Sequence, residues 1–268
     1  MNTLHAGLLP GAETLLHLHA DELPQKDELC GAFWATLALR AAGVSEIDQD
    51  AAALAAGTAI SREIDLSSLP PGESGRGDFR LELPRTDDPS RSGTAVAGVL
   101  RAIEGLSAGA LAVVPVTGTW SAASLIALLR AAADCDGVTA IANVATGELW
   151  GGRPSPVQLA HYLATGDADA GPAPDWSVGH FVGLVGTLEG TAGTLVTCAD
   201  TYRSLGWQGL HLQPAERLAR ALTRSDGVEG GLLCAAPPAS AGALDATARG
   251  LGLDVRVWDN GSADWSGD

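Results

Sequence analysis

Apolar positions recur along this chain in two rhythms that change over near residue 106. In the first part the spacing is helical. Residues 11–21 and 30–42 read as helices, the second rich in alanine and stopped by Gly43. A shorter helix is expected over 48–56, closed by Gly57, and another over 94–104. The stretches 69–78 and 84–93 carry Pro and Gly and read as loops. Beyond them, apolar runs of strand length occupy 110–116 and 138–144, with a helix over 121–133 between them and Ser121 as its N-cap. Residues 154–164 predict a short helix and 166–175 a loop. Residues 180–185 and 193–198 predict two strands joined by a turn at Glu189-Gly190. A helix at 214–222, a strand at 231–235, a helix at 239–251 and a last strand at 253–258 complete the pattern, and the acidic tail 259–268 reads as frayed. The layout predicts an α+β fold in a single domain spanning 1–268. A helical lobe (about 1–105) packs on an antiparallel sheet lobe (about 106–258), with the active site between them.

Composition narrows the picture. A chain of 268 residues with 46% hydrophobic residues can bury a sizeable core and is not globally disordered. A net charge of −16 argues against general affinity for nucleic acid or anionic membranes. The apolar runs are too short to span a bilayer, and residues 1–9 lack the cationic start and apolar run of a signal peptide. The expected location is therefore the cytosol. The four cysteines, Cys30, Cys135, Cys198 and Cys234, are widely spaced, which predicts free thiols rather than disulfides or a zinc site. Neither metal nor cofactor is expected. Lys26 is the only lysine.

The candidate chemistry begins at Cys30, which stands at the first turn of the 30–42 helix. Backbone dipoles and open N–H groups at a helix start favour the thiolate, the nucleophilic form of cysteine. His180, at the start of a predicted strand, is the candidate base that takes the thiol proton and later protonates the leaving group. Such an imidazole needs a third group to fix its tautomer. Asp200 follows the next predicted strand, and antiparallel neighbours bring that strand's end close to the start of the one bearing His180.

The segment Cys30-Gly31-Ala32-Phe33-Trp34 resembles the C-G-[SA]-C-[WY] signature of papain-like cysteine peptidases, with Phe33 in place of the second cysteine. His180 lies 150 residues after Cys30, at the upper end of the ~130–150 typical of that family. The His-Phe-Val strand, the turn and the strand ending in Asp200 are most similar to the bacterial branch of bacteriocin-processing peptidases, in which an Asp usually replaces the Asn of papain. The resemblance covers roughly residues 22–60 and 176–236, and 210–222 with 230–234 are similar to the ending of that branch. It implies a papain-like fold and an oxyanion donor at Gln25, five residues before Cys30 where the family usually places it six before. It also implies that Trp207 shields the His–Asp pair, whereas Trp34 reads as core.

Three other signals are set aside. Gly105-Leu106-Ser107-Ala108-Gly109 matches a nucleophile elbow, but a helix precedes it and a strand follows, so it reads as a turn. His17, His19 and Asp21 read as polar side chains facing solvent and not as a metal site, because residues two apart on a helix point in different directions. His161 reads as structural. The sequence thus predicts a cytoplasmic cysteine-nucleophile hydrolase of amide or peptide bonds that works through a thioester. Its expected catalytic residues are Cys30, His180, Asp200 and Gln25, and its substrate a peptide or a small acyl compound. Two alternatives stay open: an acyltransferase or amide synthase using an amine acceptor, and a catalytically silent papain-fold binding protein. The loops 69–78, 84–93 and 166–175 are expected to border the cleft. The place of 110–144, as sheet or as embellishment, stays open, as does the oligomeric state.

Overall fold

Strands that are apolar on both faces need cover on both faces, and this requirement sets the architecture. A computed structural model describes residues 4–63 and 68–265. The first three residues of the N-terminal stretch and the last three of the acidic tail, 266–268, fall outside those described. In chain order the elements begin with β1 (His5–Leu8), α1 (Ala12–Glu22), α2 (Cys30–Ala41), α3 (Gln49–Ala56), β2 (Ile60–Ser61), β3 (Arg85–Thr86) and α4 (Val96–Leu106). They continue with β4 (Ala112–Thr117), α5 (Ala122–Ala133), β5 (Thr139–Ala145), α6 (Pro156–Thr165), β6 (Gly179–Glu189) and β7 (Thr194–Ala199). The last are β8 (Leu210–Pro214), α7 (Ala215–Thr223), β9 (Gly231–Ala236), α8 (Pro238–Gly250) and β10 (Asp254–Val255).

The main sheet is antiparallel throughout and runs β10-β4-β9-β5-β6-β7-β8, with β1 pairing the far half of β6. The α+β class follows directly. Residues 110–144 belong to the heart of the sheet, where β4 and β5 flank β9. Alternate strand residues enter two cores. Val113, Ile141, Phe181 and Leu233 pack with α1 to α4, whereas Val114, Ala142, Val182 and Cys234 pack with α5, α7 and α8. The sheet is thus sandwiched between two helical layers, the second built from the helices expected at 121–133, 214–222 and 239–251. The reason lies in β9, whose six residues are all buried and apolar on either side.

The helix opening at Cys30 lies inside the first layer. Residues 31–39 of α2 are all buried, and the Trp34 ring lies against β6 at Gly183. A methyl group on Gly183 would come within 2.2 Å of that ring, so the bare backbone at 183 permits the close approach. Trp34 is core, as read.

Several local expectations change. β1 carries no apolar signal because all four of its residues are exposed. In β8 the polar His211 and Gln213 are buried while Leu210 and Leu212 are only half-buried, so over these four residues the amphipathic pattern runs backwards. The strand expected over 253–258 shrinks to two residues. The tail is docked, not frayed, through residue 265. Asn260 Oδ1 accepts from Val96 N–H at the uncapped start of α4, its amide donates to Thr94 O, and Asp264 pairs with Arg101 at 2.7 Å. Ala263 N–H adds a bond to Arg91 O. Among the described residues no helix is long and apolar enough to cross a membrane.

Gly183→Ala forces the Trp34 ring off the strand and costs about 1–3 kcal/mol of unfolding free energy, measured by urea denaturation. A loss under about 0.5 kcal/mol would contradict this packing.

Candidate active site

Cys30 is delivered by a stiff loop. The turn ahead of it places Glu28 in the left-handed region at φ 64°, and Leu29 occupies the N-cap with no side-chain acceptor for the first helical N–H groups. The donors at that helix end are left open, as helix starts leave them unless capped. Lys26 anchors the loop from behind. Its Nζ reaches Asp50 Oδ1 at 2.7 Å and donates to Asp78 O at 2.8 Å, while its backbone N–H donates to Gln49 Oε1. Both charged partners are buried. Asp50 Oδ2 accepts from the backbone of Arg80 and Leu81. The chain's only lysine is therefore an internal tether.

β6 and β7 supply the other half. Their antiparallel register, Gly183 opposite Ala199, brings the start of one beside the end of the other. His180 Nε2 and Asp200 Oδ1 lie 3.0 Å apart, and both residues are buried. With Nε2 engaged there, Nδ1 is the ring nitrogen available to the Cys30 sulfur. Burial by itself lowers the His180 pKa. The charge and hydrogen bond of Asp200 outweigh it, and interaction with Cys30 adds to them, so the pKa is raised to about 10. For Asp200, burial works to raise the pKa, but the charges and hydrogen bonds of His180 and His211 hold it well below the usual carboxylate range.

Asp200 is fixed from every side. Its Oδ1 accepts from Thr201 N–H at 2.7 Å, its own N–H donates to Gly209 O, and its carbonyl accepts from His19 Nε2. His19 is accordingly buried, correcting the surface reading; exposed His17 keeps that reading. The second carboxylate oxygen meets His211 Nε2 at 3.3 Å. Gln213 settles that contact. Its Oε1 accepts from Trp150 N–H, so its Nε2 donates to Trp150 O and to His211 Nδ1 at 3.0 Å. His211 Nδ1 is thereby an acceptor, and its Nε2–H donates to Asp200. Sequence reasoning missed His211 and Gln213. Their two-residue spacing places them on one face of a strand, the one signal that could have found them.

Gln25 is buried on the same cleft as Cys30. Its N–H donates to Thr201 O at 2.9 Å, its Oε1 accepts from Thr201 Oγ1, and its Nε2 donates to Lys26 O at 3.2 Å. One of the two amide N–H bonds is then left over. Thr201 Oγ1 also lies 3.2 Å from His180 Nε2, tying the Gln25 amide to the imidazole. The four residues singled out in the sequence thus converge. Cys30, Gln25 and His180 line a cleft of about 350 Å³, and Asp200 stands behind the imidazole.

Other expectations fare unevenly. Trp207 is 48% exposed, and the imidazole is instead flanked by Trp176, edge-on at 4.8 Å between ring centroids, and by Tyr202, stacked at 6.2 Å. Trp176 Nε1 donates to Ser68 O across the cleft. Residues of 69–78 and 84–93 line the cleft, but 166–175 does not: Ala168 accepts from Trp150 Nε1 on another face. The docked tail takes its place, with Asn260 and Ser262 in the wall. Ser107 sits in the turn between α4 and β4, bonded to backbone carbonyls. Cys198 and Cys234 are buried and their thiols are pushed up, Cys234 to about 12, which holds both in the unreactive thiol form.

A family of unknown function (DUF6885) matches residues 9–259, and the chain belongs to that family. No curated protein matches it.

Two measurements check the site. Lys26→Met leaves Asp50 charged and unpaired in the interior, so stability falls by about 3–5 kcal/mol in chemical denaturation. Folded His180 holds its proton more tightly than an unfolded histidine. Its contribution is complete below about pH 6.5 and is lost as pH rises through about 10. Wild type therefore loses stability across that window with a slope of up to ~1.4 kcal/mol per pH unit relative to His180→Gln. Parallel curves for the two proteins would refute the shift.

Proposed function

We propose that this member of the DUF6885 family is a papain-like cysteine hydrolase of amide or peptide bonds, acting through a thioester acyl-enzyme. The observation that carries the reading is a buried imidazole, pinned by Asp200, interacting with a sulfur at an uncapped helix start on one cleft. The helical layer carrying the nucleophile against a sheet carrying the base supports the papain-like part of it. The free state of all four thiols supports the expected cytosolic setting.

The chemistry follows from these positions. His180 takes the Cys30 proton, and the sulfur attacks the substrate carbonyl. The carbonyl π pair moves to oxygen, where the free Gln25 N–H and the open backbone N–H of Cys30 meet the developing charge. As the tetrahedral centre collapses, the C–N bond breaks and His180 returns its proton to the departing amine. Water, deprotonated by the same imidazole, then attacks the thioester. The carboxylic acid leaves, and Cys30 recovers its proton. Asp200 keeps the imidazole in the required tautomer and balances its charge, while His211 and Gln213 hold Asp200.

Iodoacetamide tests the nucleophile. Cys30 is expected to label faster than Cys135, the other thiol that is not fully buried, and His180→Gln is expected to remove that advantage. Equal labelling of Cys30 in wild type and His180→Gln would sink the ion pair. With a hydrolysed substrate in hand, His180→Gln lowers kcat by about 10²–10⁴-fold. Mass spectrometry then detects an acyl adduct on Cys30 that is absent from Cys30→Ala, and competition between water and amines separates hydrolysis from acyl transfer.

A further inference from the structure

The cleft holds one cation that the acyl-transfer steps leave unused. Arg224 follows α7 and lies in the cleft wall with its side chain only 4% exposed. Its Nε and Nη2 form a forked pair with Asp226 at 2.9 and 2.5 Å. Its Nη1 is buried and has no hydrogen-bond partner among the described residues. A buried charged donor without an acceptor is destabilising, and evolved interiors rarely keep one. The backbone sharpens the point. At φ 60° and ψ 147° Arg224 occupies a conformation that suits glycine, yet a long cationic side chain stands there.

Its position relates it to the reacting groups. Gly179, one residue before His180, lies against the guanidinium. A methyl group there would come within 3.0 Å of Nη2 and 3.1 Å of Nη1. The absence of a side chain at 179 lets the cation rest on the strand that carries the imidazole. The other charged groups of the cleft are engaged: Asp27 Oδ1 accepts from Arg76 N–H, and Glu28 Oε2 from Ser61 N–H. Among the described cleft residues Arg224 is the only lysine or arginine.

We propose that Arg224 binds a carboxylate of the substrate beside the reacting carbonyl and so selects acidic substrates. This deepens the acyl-transfer reading and rests on it for the chemistry, though not for the binding. Asp226 already offsets part of the guanidinium charge and occupies two of its nitrogens. The remaining donor suits a singly charged carboxylate better than a dianionic phosphate. A chain of net charge −16 repels anions in general, so an acidic substrate needs a dedicated local cation.

Calorimetry on the full-length Cys30→Ala protein tests this with three probes: N-acetyl-glutamate α-amide, N-acetyl-glutamine with its free α-carboxylate, and neutral N-acetyl-glutamine amide. One of the two acids binds about ten- to hundredfold more tightly than the neutral probe. The tighter acid tells whether a side-chain or a terminal carboxylate is read. Adding Arg224→Gln brings all three probes within about twofold of one another. Adding Arg224→Gly does the same while keeping a melting temperature equal or higher, because glycine is at ease at this φ. Three equal affinities, no measurable binding, or a preference that survives both Arg224 variants overturns the proposal. The protein tested has no nucleophile, so a failed hydrolase reading leaves this result legible, and failure here leaves the Cys30 labelling result standing.

Discussion

The buried Asp200 carboxylate is the group around which the rest of the site is arranged. An isolated carboxylate in the interior carries a desolvation penalty of several kcal/mol, offset only by well-placed donors and charge. Asp200 has three: His180 and His211 on its two oxygens and the Thr201 N–H. Each donor lies on or next to a different strand end, so the carboxylate brings together β6, β8 and the turn after β7. His211 in turn is oriented by Gln213, and Gln213 by the backbone of Trp150. A network satisfied at every member fixes one geometry, because a shift of any member strands a buried polar atom.

The same logic joins the two halves of the molecule. Thr201, next to Asp200, accepts Gln25 N–H at its carbonyl and donates its hydroxyl to the Gln25 side chain. Lys26, next to Gln25, is held by Asp50 in α3 and by Asp78 in the following loop. The segment leading to Cys30 is thus fastened to the sheet on one side and to the helical layer on the other. Meanwhile Trp34 seats α2 on the bare backbone of Gly183. The position of the sulfur follows from these contacts more than from the preferences of its own helix.

The cleft wall is assembled from pieces remote in sequence. Asn260 and Ser262 come from the tail, Trp176 from the stretch before β6, and Arg224 from the end of α7. Asn260 satisfies the otherwise uncapped start of α4 and lines the cleft as well. Polar groups that meet backbone needs thereby also shape the space beside Cys30.

Much of this was legible in one dimension. Ser121 capping α5 with Ser124, the turn that follows α4 at Ser107 and the paired strands that present His180 and lead to Asp200 follow from local chemistry, because caps, glycine turns and apolar periods act within a few residues. The candidate quartet Gln25, Cys30, His180 and Asp200 was likewise readable from residue type and order. β1, β8 and the docked tail were not. β1 is exposed, β8 buries its polar side chains, and the tail is held by Arg91, Arg101 and the start of α4. The sequence alone determined which side chains have the chemistry and where the long helices and the apolar strands lie, since those depend on near neighbours. Only the tertiary structure decided that His211 backs Asp200, that Trp176 and not Trp207 flanks the imidazole, and that Arg224 reaches the cleft. These are contacts across tens of residues, and burial and hydrogen-bond satisfaction select them only when distant segments meet.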